Sequence, residues 1–190
     1  MIRSILSVGH PLLRVPARYL TQTELMAPKT QQCIDDLIET MRHAQGAGLA
    51  APQIGWPVQV AAICVENNVR YPYKPNVPLT ILVNPSLEAL TTETEVINEG
   101  CLSVPGFRGK VRRHMAVRVK AWNRIGQPIS VKAQGLTAAT FQHELDHLKG
   151  RLFLDRLISP TSLMTWGAFE RFHRDIFEKK ARGIVQKYGG

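Results

Sequence analysis

Apolar residues near the start of the chain recur at helical spacing. Within residues 31–43 they are Ile34, Leu37, Ile38 and Met41. The pattern i, i+3, i+4, i+7 places these side chains on one face of an α-helix. It predicts an amphipathic helix whose apolar face packs on the outside of a larger core.

Alternating and β-branched residues predict a set of short strands further along the chain. The predicted strands are residues 58–65, 79–83, 91–96, 114–122 and 129–133. Asn84-Pro85 should end the second strand, and Gly126-Gln127-Pro128 should form a hairpin turn. The polar, proline-rich residues 66–78 predict an exposed loop between the first two strands.

Two further helices are predicted in the second half of the chain. One ends at Gly150, a residue that commonly stops helices. The other covers residues 169–185 and places Phe169, Phe172 and Ile176 on one face. Together these elements predict an α+β fold, in which mostly antiparallel strands surround one central helix, with N-terminal and C-terminal helices.

The central helix carries the sequence His143-Glu144-Leu145-Asp146-His147. On a helix, two residues four positions apart project from the same face. His143 and His147 can therefore hold one divalent metal, and Glu144 can reach a water molecule beside it. We interpret the central helix as metal-binding, rather than as a solvated helix whose histidines bind nothing.

A catalytic metal usually has three protein ligands, and the helix supplies only two. Asp155 is one candidate for the third ligand, although it lies just past Gly150. Cys101, within Glu99-Gly100-Cys101-Leu102-Ser103, is the better candidate. Alternatively, Cys101 is a buried inert thiol or a nucleophile, but a nucleophilic cysteine would leave Glu144 and one histidine without a role.

The segment from Gly46 to Gly55 reads Gly-Ala-Gly-Leu-Ala-Ala-Pro-Gln-Ile-Gly. Its glycines allow the backbone to approach a ligand closely. No Gly-Lys-Ser/Thr follows, so a phosphate-binding loop is poorly supported. An ordinary tight turn before a strand is the alternative. Gln53 is a polar amide in an apolar run, so it is either hydrogen-bonded structurally or directed at a ligand.

Length and composition agree with one ordinary globular domain spanning residues 1–190. No apolar run approaches the ~20 residues of a membrane span. Residues 1–20 are interrupted by arginines and lack the apolar block of a secretion signal. The three cysteines, Cys33, Cys64 and Cys101, are scattered, which favours a reducing compartment over a disulfide framework.

The chain is basic, with a formal net charge of +9. Its basic residues are spread along the sequence, and no standard nucleic-acid motif is present, so no specific DNA partner is expected. From Thr161 onward there are six Lys or Arg and three Asp or Glu, a net charge of +3. A basic terminal helix could contact a large anionic assembly.

Three motifs together resemble those of the peptide deformylases. They are residues 46–53 (Gly-Ala-Gly-Leu-Ala-Ala-Pro-Gln), residues 99–103 (Glu-Gly-Cys-Leu-Ser) and residues 142–147 (Gln-His-Glu-Leu-Asp-His). The resemblance implies a cytoplasmic metallohydrolase. Such an enzyme removes the formyl group from the N-terminal formyl-methionine of new polypeptides and releases formate. Its partners would be nascent peptides, with the ribosome as the anionic assembly at the basic helix.

The resemblance also assigns catalytic roles by motif position. It implies that Cys101, His143 and His147 are the metal ligands and that Glu144 is the catalytic acid and base. Gln53 and the backbone N–H of Leu102 would polarise the formyl oxygen. The metal would lower the pKa of a water molecule, and the charge that develops on the carbonyl oxygen would be stabilised by these donors.

Residues for substrate binding follow from the same resemblance. An extended peptide could pair with the backbone near Gly48 and Gly100 as an added strand. An apolar pocket for the methionine side chain is implied at Ile97, Leu136, Ala139 and Thr140. Arg108 matches a position near the mouth of the pocket, and Arg113 is a candidate partner for Glu99 or Asp146.

The metal and the reaction class each have alternatives. Two His and one Cys suggest zinc on ligand chemistry alone, whereas the resemblance implies Fe2+, replaceable by Ni2+, Co2+ or Zn2+. A zinc endopeptidase would also use a His-Glu-x-x-His helix, but its third ligand usually follows the motif. A non-catalytic metal-binding or RNA-binding protein would need neither Glu144 nor Gln53.

Overall fold

The computed structural model describes residues 1–66 and 72–189. Its strands are β1 (Gly48–Ala50), β2 (Val60–Val65), β3 (Val77–Ala89), β4 (Thr94–Cys101), β5 (Val104–His114), β6 (Ala116–Trp122), β7 (Pro128–Gln134) and β8 (Met164–Thr165). Its α-helices are α1 (Gln22–Met26), α2 (Pro28–His43), α3 (Gly135–Leu148), α4 (Trp166–Phe172) and α5 (Arg174–Tyr188). Short 3-10 helices lie at Pro11–Arg14, Ala51–Ile54, Phe153–Arg156 and Pro160–Ser162.

The strands form two antiparallel sheets. The larger has the order β1-β2-β3-β6-β7, and the smaller has the order β4-β5-β8. Helix α3 packs against strands of both sheets. The predicted α+β fold, with antiparallel strands around a central helix and helices near both termini, is confirmed. None of the helices in the described ranges is long and apolar enough to cross a membrane.

Helix α3 is buried on nearly every side, because it lies between the two sheets. Phe141 and Leu145 pack in the cluster formed with the larger sheet. Leu136 and Ala139 pack in the cluster formed with the smaller sheet and α5. Such a helix has no solvated face, so its polar side chains must find partners inside the protein. This requirement organises the site described below.

Gly150 stops α3 where the sequence predicts. Its φ of +67° is a left-handed conformation that favours glycine. A Cβ atom there would also lie 2.7 Å from the backbone of Arg14. The chain therefore turns tightly after α3 and leaves the end of the helix against the N-terminal segment.

Helix α2 matches its prediction closely but begins earlier, at Pro28 rather than at residue 31. Proline is favoured in the first helical turn because its φ is fixed and its missing N–H is not needed there. Ile34, Leu37 and Met41 are fully buried. They pack in a cluster with β1, β2 and β3, on the outer side of the larger sheet.

The predicted end of β3 at Asn84-Pro85 is wrong. The strand continues to Ala89, and its register against β6 shifts between Val83 and Ser86. Asn84 adopts φ of +51°, and its side-chain amide pairs with both backbone groups of Leu20 at 2.9 and 2.7 Å. This bulge accommodates Asn84 and Pro85 within the strand, so the strand bends instead of ending.

Strand β5 was not predicted, because its inward side chains are not apolar. Arg108, Gly109 and Arg113 are buried along with Val111. Two inward arginines break the apolar alternation on which strand prediction relies. The strand that precedes it, predicted at residues 91–96, instead runs to Cys101.

The predicted C-terminal helix is divided in two at His173. The predicted common face of Phe169, Phe172 and Ile176 is also wrong. Phe169 is buried, but Phe172 and Ile176 are 60% and 71% exposed. The buried face of α5 instead includes Ala181 and Ile184, which pack beside α3.

The loop prediction at residues 66–78 can be compared only in part. Residues 67–71 lie outside the described residues, and β3 already begins at Val77. Tyr73 and Lys74 are half-buried rather than exposed. Both face the pocket described next.

Candidate metal centre

Cys101, His143 and His147 come together where the end of β4 meets α3. One ligand atom from each lies within 4.8 Å of the other two. Cys101 Sγ is 3.2 Å from His147 Nε2. Metal bonds of about 2.0–2.3 Å place neighbouring ligands of one ion roughly 3–4 Å apart. A thiolate and two imidazoles at these separations fit a single divalent metal ion.

The tight connection from β4 to β5 orients Cys101. Cys101 pairs with Val104, and the register shifts between Gly100 and Cys101. Such a bulge redirects a side chain out of the regular alternation. The backbone N–H of Ser103 lies 3.4 Å from Cys101 Sγ and donates toward it. The sulfur is thus directed at α3 by the backbone itself.

Asp155, the alternative third ligand, has another role. It accepts a hydrogen bond from the backbone N–H of Leu152 at 2.8 Å and forms an ion pair with Arg14. Within residues 1–66 and 72–189 it does not join the cluster of ligand atoms. Its contacts support a structural turn after α3 rather than a metal site.

A buried ion network holds the histidine helix against the cysteine strand. Glu99 Oε2 lies 2.9 Å from His143 Nδ1, which leaves His143 Nε2 for a metal. Arg113 donates to both carboxylate oxygens of Glu99 at 2.8 and 2.9 Å. Arg113 also donates to Asp146 at 2.6 Å. The sequence suggested Glu99 or Asp146 as the partner of Arg113, and the structure pairs it with both.

The charges of this network suit metal binding. Burial opposes ionisation of Glu99, but the Arg113 guanidinium outweighs it and holds the pKa of this carboxyl below its usual range. Burial lowers the pKa of His147, and His143 lowers it further. For His143, burial is outweighed by its hydrogen bonds to Cys101 and Glu99, which raise its pKa. A metal bound here would require both imidazoles to be unprotonated at the ligating nitrogen.

Gln142 fixes the same helix from its other side. Its amide Nε2 donates to the carbonyl of His114 at 2.8 Å, and its Oε1 accepts from the His114 N–H at 3.1 Å. This pair of bonds joins the end of β5 to α3. The motif residue that precedes His143 therefore positions the helix and does not belong to the cluster of candidate ligands.

Glu144 lies against the backbone of Gly48. A Cβ atom at position 48 would be 2.6 Å from Glu144 Oε1, so only glycine leaves room for this carboxyl. Glu144 Oε2 is buried and has no hydrogen-bond partner among the described residues. Burial raises the pKa of Glu144 to about 7. A carboxyl in this setting can both accept and donate a proton near neutral pH.

Gln53 is hydrogen-bonded and also faces the site. Its Oε1 accepts from the N–H of Ala50 at 2.8 Å, and its Nε2 donates to Ser103 Oγ at 3.0 Å. The same nitrogen lies 3.7 Å from Cys101 Sγ. The structural alternative raised by the sequence is therefore met, and these bonds fix the direction of an amide that also lines the pocket. Leu102 lies between Cys101 and Ser103 and lines the same space.

These groups surround a pocket of about 700 Å³, open mouth included. It is lined by every residue predicted to bind substrate or catalyse, together with two of the three predicted ligands. They are Gly48, Gln53, Ile97, Gly100, Cys101, Leu102, Arg108, Leu136, Ala139, Thr140, His143 and Glu144. His147 is not in the lining and is only 1% exposed.

Arg108 belongs to the wall of the pocket rather than to a solvated mouth. It is 4% exposed. Its guanidinium donates to Asn98 Oδ1 at 2.8 Å and to the Asn98 carbonyl at 2.7 Å. These bonds tie β5 to β4 next to Gly100.

Sequence reasoning missed Tyr73, Lys74 and Phe177, which also line the pocket. Lys74 Nζ donates to Thr140 Oγ1 at 2.8 Å, and burial lowers its pKa to about 8. A polar, proline-rich segment gives no signal that one lysine turns inward. Phe177 comes from α5, far along the chain from the motifs, so only the fold brings it here.

Similar known proteins were found for most of this chain. The sequence model described as polypeptide deformylase matches residues 2–162. Peptide deformylase 1 of Bordetella pertussis is 50% identical over 161 residues, covering 83% of this chain and 88% of the relative.

Solved structures agree with the sequence matches. The Met-Ala-Ser bound class I type b peptide deformylase from Acinetobacter baumannii has a TM-score of 0.79 at 34% identity, covering 83% of this chain and 99% of that chain. The peptide deformylase from Thermotoga maritima has a TM-score of 0.73 at 34% identity, covering 84% and 99%. At 34% sequence identity, each of these two structures shares more with this chain than the fold alone.

The ion network predicts that Arg113→Met weakens metal binding. Removing one partner of a buried charge network costs about 3–5 kcal/mol of stability, and losing support for a ligand costs about 10–100-fold in metal affinity. Unfolding by denaturant and metal titration on the same preparation measure both effects. Arg112→Met is the matched control, because Arg112 is the exposed neighbour on β5. Equal metal affinity in the two variants would contradict a supporting role for Arg113.

Proposed function

This chain belongs to the polypeptide deformylase family, and on that premise we propose how its pocket removes the N-formyl group from newly made polypeptides. The enzyme is a metal-dependent hydrolase that acts on N-formylmethionyl peptides. Residues 1–190 would act as one catalytic domain. The proposal rests on one observation: Cys101, His143 and His147 converge beside a pocket that Glu144 and Gln53 line.

Cys101, His143 and His147 would hold the metal. Their donor atoms fit one ion, as described above. When bound, a divalent metal supplies a Lewis acid and lowers the pKa of a water molecule. Its positive charge would also lower the pKa of Glu144 below the value set by burial alone.

Glu144 would transfer the protons of the reaction. Its carboxyl takes a proton from the attacking water and returns it to the leaving amine of methionine. Its position supports this role, since it lies beside ligand His143 in the chain yet projects about 100° away on the helix. Gly48 supplies the space that the carboxyl occupies.

Gln53 and the backbone N–H of Leu102 would bind the formyl oxygen. Negative charge develops on this oxygen as water attacks, and donors that are already oriented stabilise it without reorganising. The bonds of Gln53 to Ala50 and Ser103 provide that orientation. A single such donor typically contributes about 10²–10³ in turnover.

The methionine side chain would enter the apolar part of the pocket. Ile97, Leu136 and Ala139 are buried and line it, with Thr140 beside them. The peptide backbone would pair with the segments around Gly48 and Gly100. Pairing of this kind recognises the main chain and does not select the side chains that follow methionine. Arg108 supports this edge through its bonds to Asn98.

The identity of the native metal is a more specific proposal than the identity of its ligands. We infer Fe2+ as the native ion from family membership, with Ni2+, Co2+ or Zn2+ able to take its place. Ligand chemistry alone would suggest zinc instead. The enzyme would work in the cytoplasm, where nascent chains leave the ribosome.

The basic C-terminal helix α5 is the proposed contact with the ribosome. Several of its cations already pair with carboxylates, including Lys180 with Glu95 and Lys187 with Glu93. Lys179 and Arg182 are exposed, and Arg182 lies 3.6 Å from Glu178. A cationic surface of this kind steers association with an anionic assembly.

Glu144→Gln tests the proposed chemistry. The amide keeps the size of the side chain but cannot shuttle a proton, so turnover should fall by at least ~10² while metal content is kept. Formate release from formyl-Met-Ala peptides and metal analysis on one sample give both values, with the exposed Glu88→Gln as control. Loss of metal in Glu144→Gln would identify a ligand instead of a proton carrier. Cleavage of an internal peptide bond would favour an endopeptidase.

Anaerobic purification tests the metal. If Fe2+ is native, enzyme prepared without oxygen should contain iron and should lose activity in air as iron or the Cys101 thiolate oxidises. Nickel-loaded enzyme should stay active longer under the same conditions. Equal lifetimes of the two forms would argue against Fe2+ as the sensitive species.

Charge reversal tests the ribosome contact. Lys179→Glu with Arg182→Glu should weaken co-sedimentation with bacterial ribosomes by about tenfold or more at low salt, because charge steering is of that order. Deformylation of short peptides is measured in parallel. Lys120→Glu with Lys132→Glu, exposed on the larger sheet, is the control. Equal effects of the two pairs would mean that only net charge matters.

A further inference from the structure

We call the pocket described above, which Cys101, His143 and Glu144 line, the metal pocket. A second cavity adjoins it on the side of the C-terminal helices. Its walls come from α4 and α5 and include Trp166, Phe169 and Phe177. Tyr73, Arg108 and Phe177 line both this cavity and the metal pocket. We call the second cavity the aromatic groove. Because the two spaces share walls, a chain that leaves the metal pocket on this side enters the groove directly.

The aromatic rings of the groove are held around one buried cation. The Arg108 guanidinium lies 5.1, 4.2 and 5.3 Å from the ring centres of Trp166, Phe169 and Phe177. Phe177 also meets Tyr73 edge-on at 5.2 Å. Each contact falls within the range in which cations and rings attract aromatic faces. The wall is therefore set before any ligand arrives.

The charges at the rim balance one another. Arg174 donates to Glu170 at 2.6 Å and to Glu178 at 3.0 Å, and both carboxylates line the groove. With Arg108 beneath the rings, the lining carries two positive and two negative groups. A charged side chain gains little in such a place, whereas a large apolar or aromatic one can cover the half-buried rings of Trp166 and Phe177.

Six of the eight residues that line the groove lie outside the part of the chain that matches the family. The family match ends at residue 162, and the walls contributed by α4 and α5 begin at Trp166. The metal ligands and Glu144 lie within the match. The C-terminal helices thus add a wall beside a site that the rest of the chain completes.

We propose that the aromatic groove is a subsite for the nascent peptide, and that it prefers a large apolar or aromatic side chain among the three residues after formyl-methionine. This proposal rests on the proposed function. Three extended residues span about 10 Å, enough to pass from one cavity into its neighbour. The subsite would make turnover depend on the sequence that follows the first residue.

The test scans phenylalanine through a short substrate. Formyl-Met followed by three alanines is compared with peptides in which Phe replaces each alanine in turn. In the wild-type enzyme one Phe position should raise kcat/KM by roughly three- to tenfold, the scale of one aromatic contact. Trp166→Ala should abolish most of that gain, and Trp166→Phe should keep it.

Phe172→Ala provides the matched control, since Phe172 is on the same helix α4 but is 60% exposed and not in the groove. Its ratio of kcat/KM between the Phe and Ala peptides should equal that of the wild type. Thermal melting and metal content show whether Trp166→Ala is folded. If it is not, the ratio in Phe177→Leu, which retains apolar packing, decides the matter.

The outcomes separate the two proposals. No formate from any peptide would overturn the proposed function itself. Formate release with no preference at any position, or a preference unchanged in Trp166→Ala and Phe177→Leu, would overturn the subsite alone. A preference for Asp, Glu, Lys or Arg at the favoured position in place of Phe would contradict the charge balance argued here.

Discussion

The pairing of one buried arginine holds this site together. A guanidinium cannot lose its proton inside a protein, so Arg113, only 3% exposed, must be surrounded by anions. It is paired with Glu99 from the cysteine strand and Asp146 from the histidine helix. The proposed metal ligands come from these same two elements. The need to neutralise the charge of Arg113 therefore fixes how β4 packs against α3. Glu99 also contacts His143, so the position of this imidazole depends on the same network.

The central helix shows how burial produces reactivity. Because α3 lies between two sheets, Glu144 is enclosed, and its carboxyl has an oxygen without a partner among the described residues. The same enclosure would be destabilising in an ordinary core. Here it places the proposed proton carrier beside the proposed ligands, and Gly48 of β1 and Gln53 of the following 3-10 helix line the same pocket. The C-terminal helices then add aromatic walls through Arg108.

The sequence predicted the chemistry of this protein better than its topology. The spacing of His143 and His147, and the Cys101 segment, point to a metal because ligand geometry is local to short motifs. Strand β5 escaped prediction because Arg108 and Arg113 face inward, which reverses the usual polarity pattern. The break at His173 and the inward turn of Lys74 have no local signal at all. Such features depend on which surface a segment meets, and that is known only once the chain is folded.

The central claim is that a cysteine thiolate completes the metal site, and Cys101→Ser tests it most directly. Metal stoichiometry and formate release from formyl-Met-Ala should be measured together, with Cys64→Ser as control because Cys64 is buried away from the ligand cluster. A serine hydroxyl is a much poorer anionic ligand than a thiolate at neutral pH. The account predicts that Cys101→Ser loses most of its metal and its activity together, while Cys64→Ser keeps both. Full metal content and normal turnover in Cys101→Ser would contradict it.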